Sequence, residues 1–302
     1  MVLNIMPEPA VLINIVLFYP DKNKVLDLIH ICSQYHRAKI LLFDNSVDYP
    51  FLESLNSEKV ILFKSQKNVG VGGAHHYACQ IAEAENFDFL LFVDQDSQLP
   101  KAFITDMILG FYRLKKLYPR LSAIGPSWQD IRIDNECHEN SLKKNWVNQK
   151  KENILNLFGA NNTIISSGML IWVPTLKIIG YPKKEYFIDL IDIEWCLRAL
   201  SKNYQVKLLK NIQIRHSLGE VKIIKKNILR YQQPIRYYYS IRNSFLLFRE
   251  KQFPLLFRIY ILIKNLKEMQ KIPFVPESIK SLLAALNGFK DGILARKGPF
   301  YK

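Results

Sequence analysis

Apolar residues fall into short unbroken runs in the first two thirds of the chain and into helical periodicities in the last third. Residues 11–18 form a strongly apolar run, interrupted only by Asn14 and stopped by Tyr19-Pro20-Asp21, which predicts a strand. Asp21 then offers a cap for a helix to about residue 35, with Val25, Leu28, Ile29 and Cys32 on one face. Residues 39–43 and 59–63 read as two more short strands. The first ends in Asp44-Asn45-Ser46, and the second leads into the Gly-rich stretch Asn68-Val69-Gly70-Val71-Gly72-Gly73-Ala74. A helix over 74–85 follows. The sharpest strand signal is residues 89–93, which end abruptly in Asp94-Gln95-Asp96-Ser97, with Ser97 and Pro100 opening another helix. Strands alternating with helices at this spacing predict an α/β fold around a mostly parallel, doubly wound sheet.

The pattern then changes. Residues 127–153 are polar and irregular and predict a long loop over the strand ends. Residues 163–173 are apolar around Ser166-Ser167-Gly168, consistent with a strand bent at small residues. Next come Asp189, Asp192 and Glu194, set among apolar residues and running into a helix through Trp195 to Arg198. Residues 205–209 predict a last core strand, and Arg215-His216-Ser217 closes the α/β part. Beyond it the periodicity is helical over 234–250, 254–269 and 277–294. The predicted organisation is therefore a catalytic α/β domain over 1–219 and a helical, basic region over 220–302.

Composition changes this picture in one respect. A 302-residue chain that is 49% hydrophobic and 23% charged has ample material for a core, which excludes wholesale disorder. Its four cysteines form no close pair, which excludes a zinc ribbon or compact disulfide framework and suits a reducing, cytoplasmic setting. The apolar run at 11–18 is too short to span a bilayer. The charge, however, is uneven. Residues 220–302 hold 17 Lys and Arg against 5 Asp and Glu, which is +12 of the net +15. That concentration predicts an anionic surface as partner for the tail, either membrane or nucleic acid.

The chemistry collects at the strand ends. Asp94 and Asp96, one residue apart at a strand terminus, suit one hard divalent cation shared with substrate phosphates, or else an ordinary capped turn. The Gly-rich stretch before a helix suits close approach of a diphosphate, although it matches no full phosphate-loop fingerprint. Asp44 could bond a nucleobase or ribose, and Asp-Asn-Ser is also common turn chemistry. Carboxylates at 189, 192 and 194 favour a helix start through the dipole. Burial among apolar neighbours would also raise their basicity, as a general base requires.

Together these residues resemble the family 2 glycosyltransferases with the GT-A fold, bacterial rhamnosyltransferases above all. The resemblance covers about residues 11–250. It rests on the opening strand, on Asp44-Asn45-Ser46, on residues 68–74, on Asp94-Gln95-Asp96-Ser97, on residues 187–198, and on Arg236-Tyr237-Tyr238-Tyr239 with Arg242-Asn243. It implies an inverting, metal-dependent enzyme in which Asp96 and His216 hold Mg²⁺ or Mn²⁺. Asp44, Asn68, Gly70, Gly73 and Asp94 would then bind the nucleotide-sugar donor. Asp192 would be the catalytic base, supported by Asp189, Glu194 and Trp195. Many members carry two adjacent acidic residues at the base, whereas Ile191 precedes Asp192 here, so Asp189 and Glu194 stand as alternatives. Tyr238 and Arg242 would help close the donor or acceptor site. The implied donor is dTDP-L-rhamnose, and the implied acceptor is a surface glycan carried on lipid at the inner face of the cell membrane. Two other classes fit less of the chain: a metal-dependent sugar nucleotidyltransferase, and a basic RNA-binding protein with an inert α/β core.

Overall fold

The computed structural model describes residues 8–47, 49, 54–129, 163–215, 219–224 and 227–300. Its centre is a seven-stranded sheet of order β3-β2-β1-β4-β6-β5-β7. The strands are β1 (Val11–Leu17), β2 (Ala38–Asp44), β3 (Val60–Lys64), β4 (Phe89–Asp94), β5 (Leu121–Gln129), β6 (Leu170–Trp172) and β7 (Gln205–Arg215). Strands β1 to β4 pair in parallel, and β6 runs antiparallel between β4 and β5. The sheet is thus α/β and mostly parallel, as the alternation of runs predicts.

The unbroken apolar runs are explained by cover on both faces. Val11, Ile13, Ile15 and Leu17 point to one face, where they meet α1 (Lys22–Ser33) and α3 (Phe103–Leu117) through Val25, Leu28, Phe103, Met107 and Phe111. Leu12, Leu90 and Phe92 point to the other, against α2 (Gly70–Ala84) and α4 (Ile191–Ser201) through Ala78, Ala82, Trp195 and Cys196. Each fully buried large side chain is worth about 1.5–3 kcal/mol. Asp21 caps α1 as expected, accepting from the backbone N–H of Asn23 and Lys24.

Four expectations need correction. Helix α2 begins at Gly70 rather than at 74, because its glycines pack against the loop before α4, and that contact overrides their poor helix propensity. Residues 163–169 are not strand: only Leu170–Trp172 pair, and Ser166–Gly168 make a turn. The tail is not wholly helical, since Glu220–Ile224 (β8) and Asn227–Tyr231 (β9) form an antiparallel hairpin before its helices. Those helices are α5 (Pro234–Phe248), α6 (Leu255–Glu268) and α7 (Ser278–Ile293). Helix α7 lies close on α5. A Cβ on Gly288 would come within 2.5 Å of the Tyr238 carbonyl oxygen, so only glycine permits the approach. Of the loop predicted over 127–153, residues 127–129 are instead the end of β5, which pairs with β7, and 130–153 lie outside the described residues, as do His216 and Cys137.

Candidate active site

The carboxyl ends of β1, β2 and β4 meet at one edge of the sheet, where ligands of open α/β sheets bind. Polar side chains bolt these ends together. The Gln95 side chain accepts from the Phe18 N–H at 2.7 Å and donates to the Phe18 carbonyl at 3.1 Å, so the turn after β4 is fixed to the end of β1. The Tyr19 N–H donates to Ser46 Oγ at 2.7 Å, fixing β1 to β2. Asn45 accepts from the Val69 N–H and donates to the Gly70 carbonyl, fixing β2 to the start of α2. Asp44 is buried and accepts from the Ser46 N–H at 2.8 Å, a turn that holds its carboxylate at the strand end. Phe18 and Tyr19 stand half out of the surface beside it, two aromatic faces that the apolar run did not single out.

Asp94 and Asp96 are half-buried at the open end of β4. Ser97 is not a helix cap. It is buried, and its hydroxyl lies 2.6 Å from that of Ser167 in the turn before β6. Two half-exposed carboxylates form a hard-oxygen donor set that fits an Mg²⁺-type ion, which commonly takes one or two carboxylates and completes its shell with phosphate oxygens and water. Among the described residues no group of three His, Cys, Asp or Glu side chains is placed to hold a metal ion by itself.

The Gly-rich stretch is arranged differently from the diphosphate cradle expected of it. The Gly70 N–H donates to Asn68 Oδ1 at 2.8 Å, and the Gly72 N–H donates to the Phe187 carbonyl at 2.9 Å. Gly70 has φ +71°, and a Cβ there would fall 2.2 Å from the same carbonyl oxygen. These residues seat the 185–190 loop.

That loop is the second wall of the site. Phe187, Asp189 and Leu190 all have φ between 61° and 65°. Phe187 has ψ −63°, and the Ile188 N–H closes onto the Tyr186 carbonyl at 2.7 Å, which makes a γ-turn of the rare positive-φ kind. Each such residue costs on the order of 1–3 kcal/mol, and strain of this type gathers at functional sites. The loop delivers Asp192 to the first turn of α4. Asp192 accepts from the Ile193 N–H at 2.8 Å and the Ser166 N–H at 3.2 Å. Desolvation dominates and raises its pKa above the usual carboxylate value, with the neighbouring Asp189 charge adding to the rise. Asp189 forms a two-pronged ion pair with Arg236, through Nε at 2.8 Å and through Nη2. Arg236 also feels the charges of Asp94 and Asp192, so the structure brings both walls to one guanidinium.

Other predicted residues sit elsewhere. Glu194 is fully buried in ion pairs with Arg198 at 2.9 Å and Lys183 at 3.3 Å. The Trp195 indole N–H donates to the Gly180 carbonyl. Glu194 lies on the far side of α4 from Asp192, whereas Trp195, three residues on, shares the Asp192 face and anchors the helix to Gly180. Tyr238 and Arg242, expected to close the site, are buried instead. The Tyr238 hydroxyl donates to Asp291 on α7, and Arg242 donates to backbone carbonyls of Glu185, Tyr186 and Gly298. Arg236 and Ser166 were not assigned roles from sequence. Arg236 did carry a signal, because a cation in a first helical turn opposes the dipole and so asks for a partner.

No family model matches the chain. Over 265 residues it is 28% identical to the dTDP-rhamnosyl transferase RfbF of Shigella flexneri, covering 84% of this chain and 88% of that protein. Among solved structures it is similar to S. aureus TarS residues 1–349. In complex with UDP-GlcNAc, TarS matches with a TM-score of 0.56 at 13% identity, over 95% of this chain and 81% of that one. The UDP complex matches with a TM-score of 0.56 at 11% identity, over 94% and 81%. A mostly parallel sheet of this order, with its polar residues at the strand ends, is the GT-A-like fold those structures share. The chain is thus similar in sequence to a rhamnosyltransferase and shares the GT-A-like fold.

Proposed function

We propose that this enzyme transfers L-rhamnose from dTDP-L-rhamnose to a hydroxyl of a surface glycan acceptor, with inversion at the anomeric carbon. The observation that carries the mechanism is the desolvated carboxylate of Asp192 in the first turn of α4, held by the Ser166 and Ile193 N–H groups and sharing with Asp94 the field of Arg236. Asp192 takes the acceptor proton as the hydroxyl attacks the anomeric carbon opposite the leaving nucleoside diphosphate. Asp189 remains paired to Arg236, and Glu194 to Arg198, which favours Asp192 over both as the base. Asp94 and Asp96 fit a divalent cation, with His216 as the expected further ligand. Such an ion, when bound, neutralises charge on the leaving phosphate. The similarity to a dTDP-rhamnosyl transferase supports the donor. A panel of nucleotide sugars, with and without Mn²⁺, tests the reading by thermal stabilisation and product analysis. dTDP-L-rhamnose should raise the melting temperature most and release dTDP. Release of pyrophosphate would point to nucleotidyl transfer instead.

A peripheral membrane setting forms part of the same reading. Among the described residues no helix is long and apolar enough to cross a membrane. Helix α7 packs on α5 through Ser281, Ala285, Gly288 and Gly292, and leaves Ile279, Leu282, Leu283, Leu286, Phe289 and Ile293 exposed. Ile279 is 75% exposed and Leu283 55%, with Lys280 and Lys290 beside them. An apolar stripe edged with cations fits an anionic bilayer surface. Leu283→Glu with Leu286→Glu should abolish flotation with anionic vesicles at low salt and leave turnover of a soluble acceptor intact. Equal flotation of variant and parent would remove the stripe from the reading.

A further inference from the structure

Five consecutive backbone carbonyls, from Glu185 to Asp189, precede the base, and every one of them is captured by a side chain or backbone donor from another element. Arg242 Nη2 donates to Glu185 at 3.2 Å and to Tyr186 at 2.9 Å. The Gly72 N–H takes Phe187. Asn243 Nδ2 lies 3.0 Å from the Tyr186 oxygen, 2.6 Å from Ile188 and 2.8 Å from Asp189. Two amide protons thus serve three acceptors across the strained residues. The orientation of that amide is also fixed. Its Oδ1 accepts from Arg242 Nε at 2.9 Å and Nη2 at 2.7 Å, so the NH₂ group has to face the loop. Arg242 in turn donates to the Gly298 carbonyl, and the Gly298 N–H returns to Glu185. Phe187 stacks on Tyr239 of the same helix with ring centroids 4.7 Å apart. Asn243 is fully buried and touches no opening of the site.

We infer that Asn243 is a positioning residue of the transfer reaction: its amide holds the left-handed 187–190 turn that aims Asp192 and the Asp189–Arg236 pair at the acceptor. The inference rests on Asp192 being the base. A loop with three left-handed residues relaxes once its clamp is removed, and Asp192 sits only two residues beyond it. A displacement of about 1 Å in a reacting group can cost on the order of 10²-fold in rate.

Asn243→Asp tests it, because the substitution keeps the size and the Arg242 contact but turns an oxygen toward three carbonyl oxygens. Expected is a fall in kcat of about 10²-fold per folded molecule, donor affinity within about threefold of the parent, and a displaced acid limb of the pH–rate profile. Asn265→Ala serves as the structural control. It deletes a 2.7 Å bond to Ser244 on the same helix, so it should lower the melting temperature without moving that limb. A folded Asn243→Asp enzyme with kcat within about threefold of the parent and an unmoved limb would overturn the inference. If Asp192→Asn is inactive in that same experiment, the proposed base stands and only the clamp fails; if Asp192→Asn is active, the base assignment fails first. Should Asn243→Asp not fold, Asn243→Ser is measured by the same criteria. Failure of both to fold would make the residue structural and overturn the inference as well.

Discussion

The two walls of the site are built by different means. Asp44 and Asp94 stand at the ends of parallel strands, where the hydrogen-bond ladder of the sheet fixes their backbone, and Asp96 stands in the turn just beyond β4, which the Gln95 side chain ties to β1. Asp189 and Asp192 stand on and just after a strained loop that no ladder supports. Their position depends on donors borrowed from Gly72, Arg242 and Asn243, which come from residues far away in sequence. The strand-end wall is therefore rigid by topology, and the loop wall is rigid only by side-chain capture. Binding of a donor diphosphate suits the first. Aiming a base at a second substrate suits the second, where small displacements matter most.

Substitutions on opposite walls should separate donor binding from transfer. Asp96→Ala removes one of two neighbouring carboxylates, so the fold should survive, while transfer falls more than about 10³-fold and metal-dependent donor binding disappears. Near-parental turnover in this variant would end the strand-end wall's role in donor and cation binding. Asp192→Asn should cut transfer by about 10²-fold or more with donor binding retained, as isothermal titration and single-turnover rates can show. Loss of donor binding in Asp192→Asn would mean that the two walls are not separate in function.

The same contrast explains what could be read from the sequence. The apolar runs at 11–18, 39–43 and 89–93 announce strands because each is buried by helices on both faces, the partly buried edge run at 59–63 follows the same pattern, and a polar residue at the end of such a run must lie at the sheet edge. Asp44, Asp94 and Asp96 were legible for that reason. The carboxylate cluster at 189–194 was also visible, but its members could not be told apart by spacing. What separates them is the partner each finds: Arg236 for Asp189, Arg198 and Lys183 for Glu194, and two backbone N–H groups for Asp192. Gly70 and Gly73 suggest room for phosphate, whereas the room at Gly70 is taken by the Phe187 carbonyl and that at Gly73 by the Val69 side chain. A glycine pattern signals close approach without saying by what. Tyr238 and Arg242 lie on a helix facing the loop, and periodicity alone cannot say that a further helix, α7, covers them.

The smallest expected effect probes how closely the two members of the loop wall are coupled. As the proposed base Asp192 would act in its ionised form, so transfer should fall on the acid side with a midpoint above the ordinary aspartate value. Its folded pKa is raised, so the stability it contributes is present below the unfolded pKa and is lost as pH rises through the folded one. At neutral pH the ionised, desolvated base therefore works against the fold. Asp189→Asn changes two charges in the same direction. It removes a negative neighbour that raises the Asp192 pKa, and it releases the positive Arg236 from its strongest partner. Both favour ionised Asp192, so the acid limb should move to lower pH. Asparagine tolerates the left-handed backbone at this position, so the loop itself should hold. At a pH on the limb the variant would lose less of its maximal rate than the parent does, a difference of less than about tenfold. A limb displaced to higher pH would mean that Arg236 reaches Asp192 only through Asp189, and that the ion pair supplies the positive field the base feels.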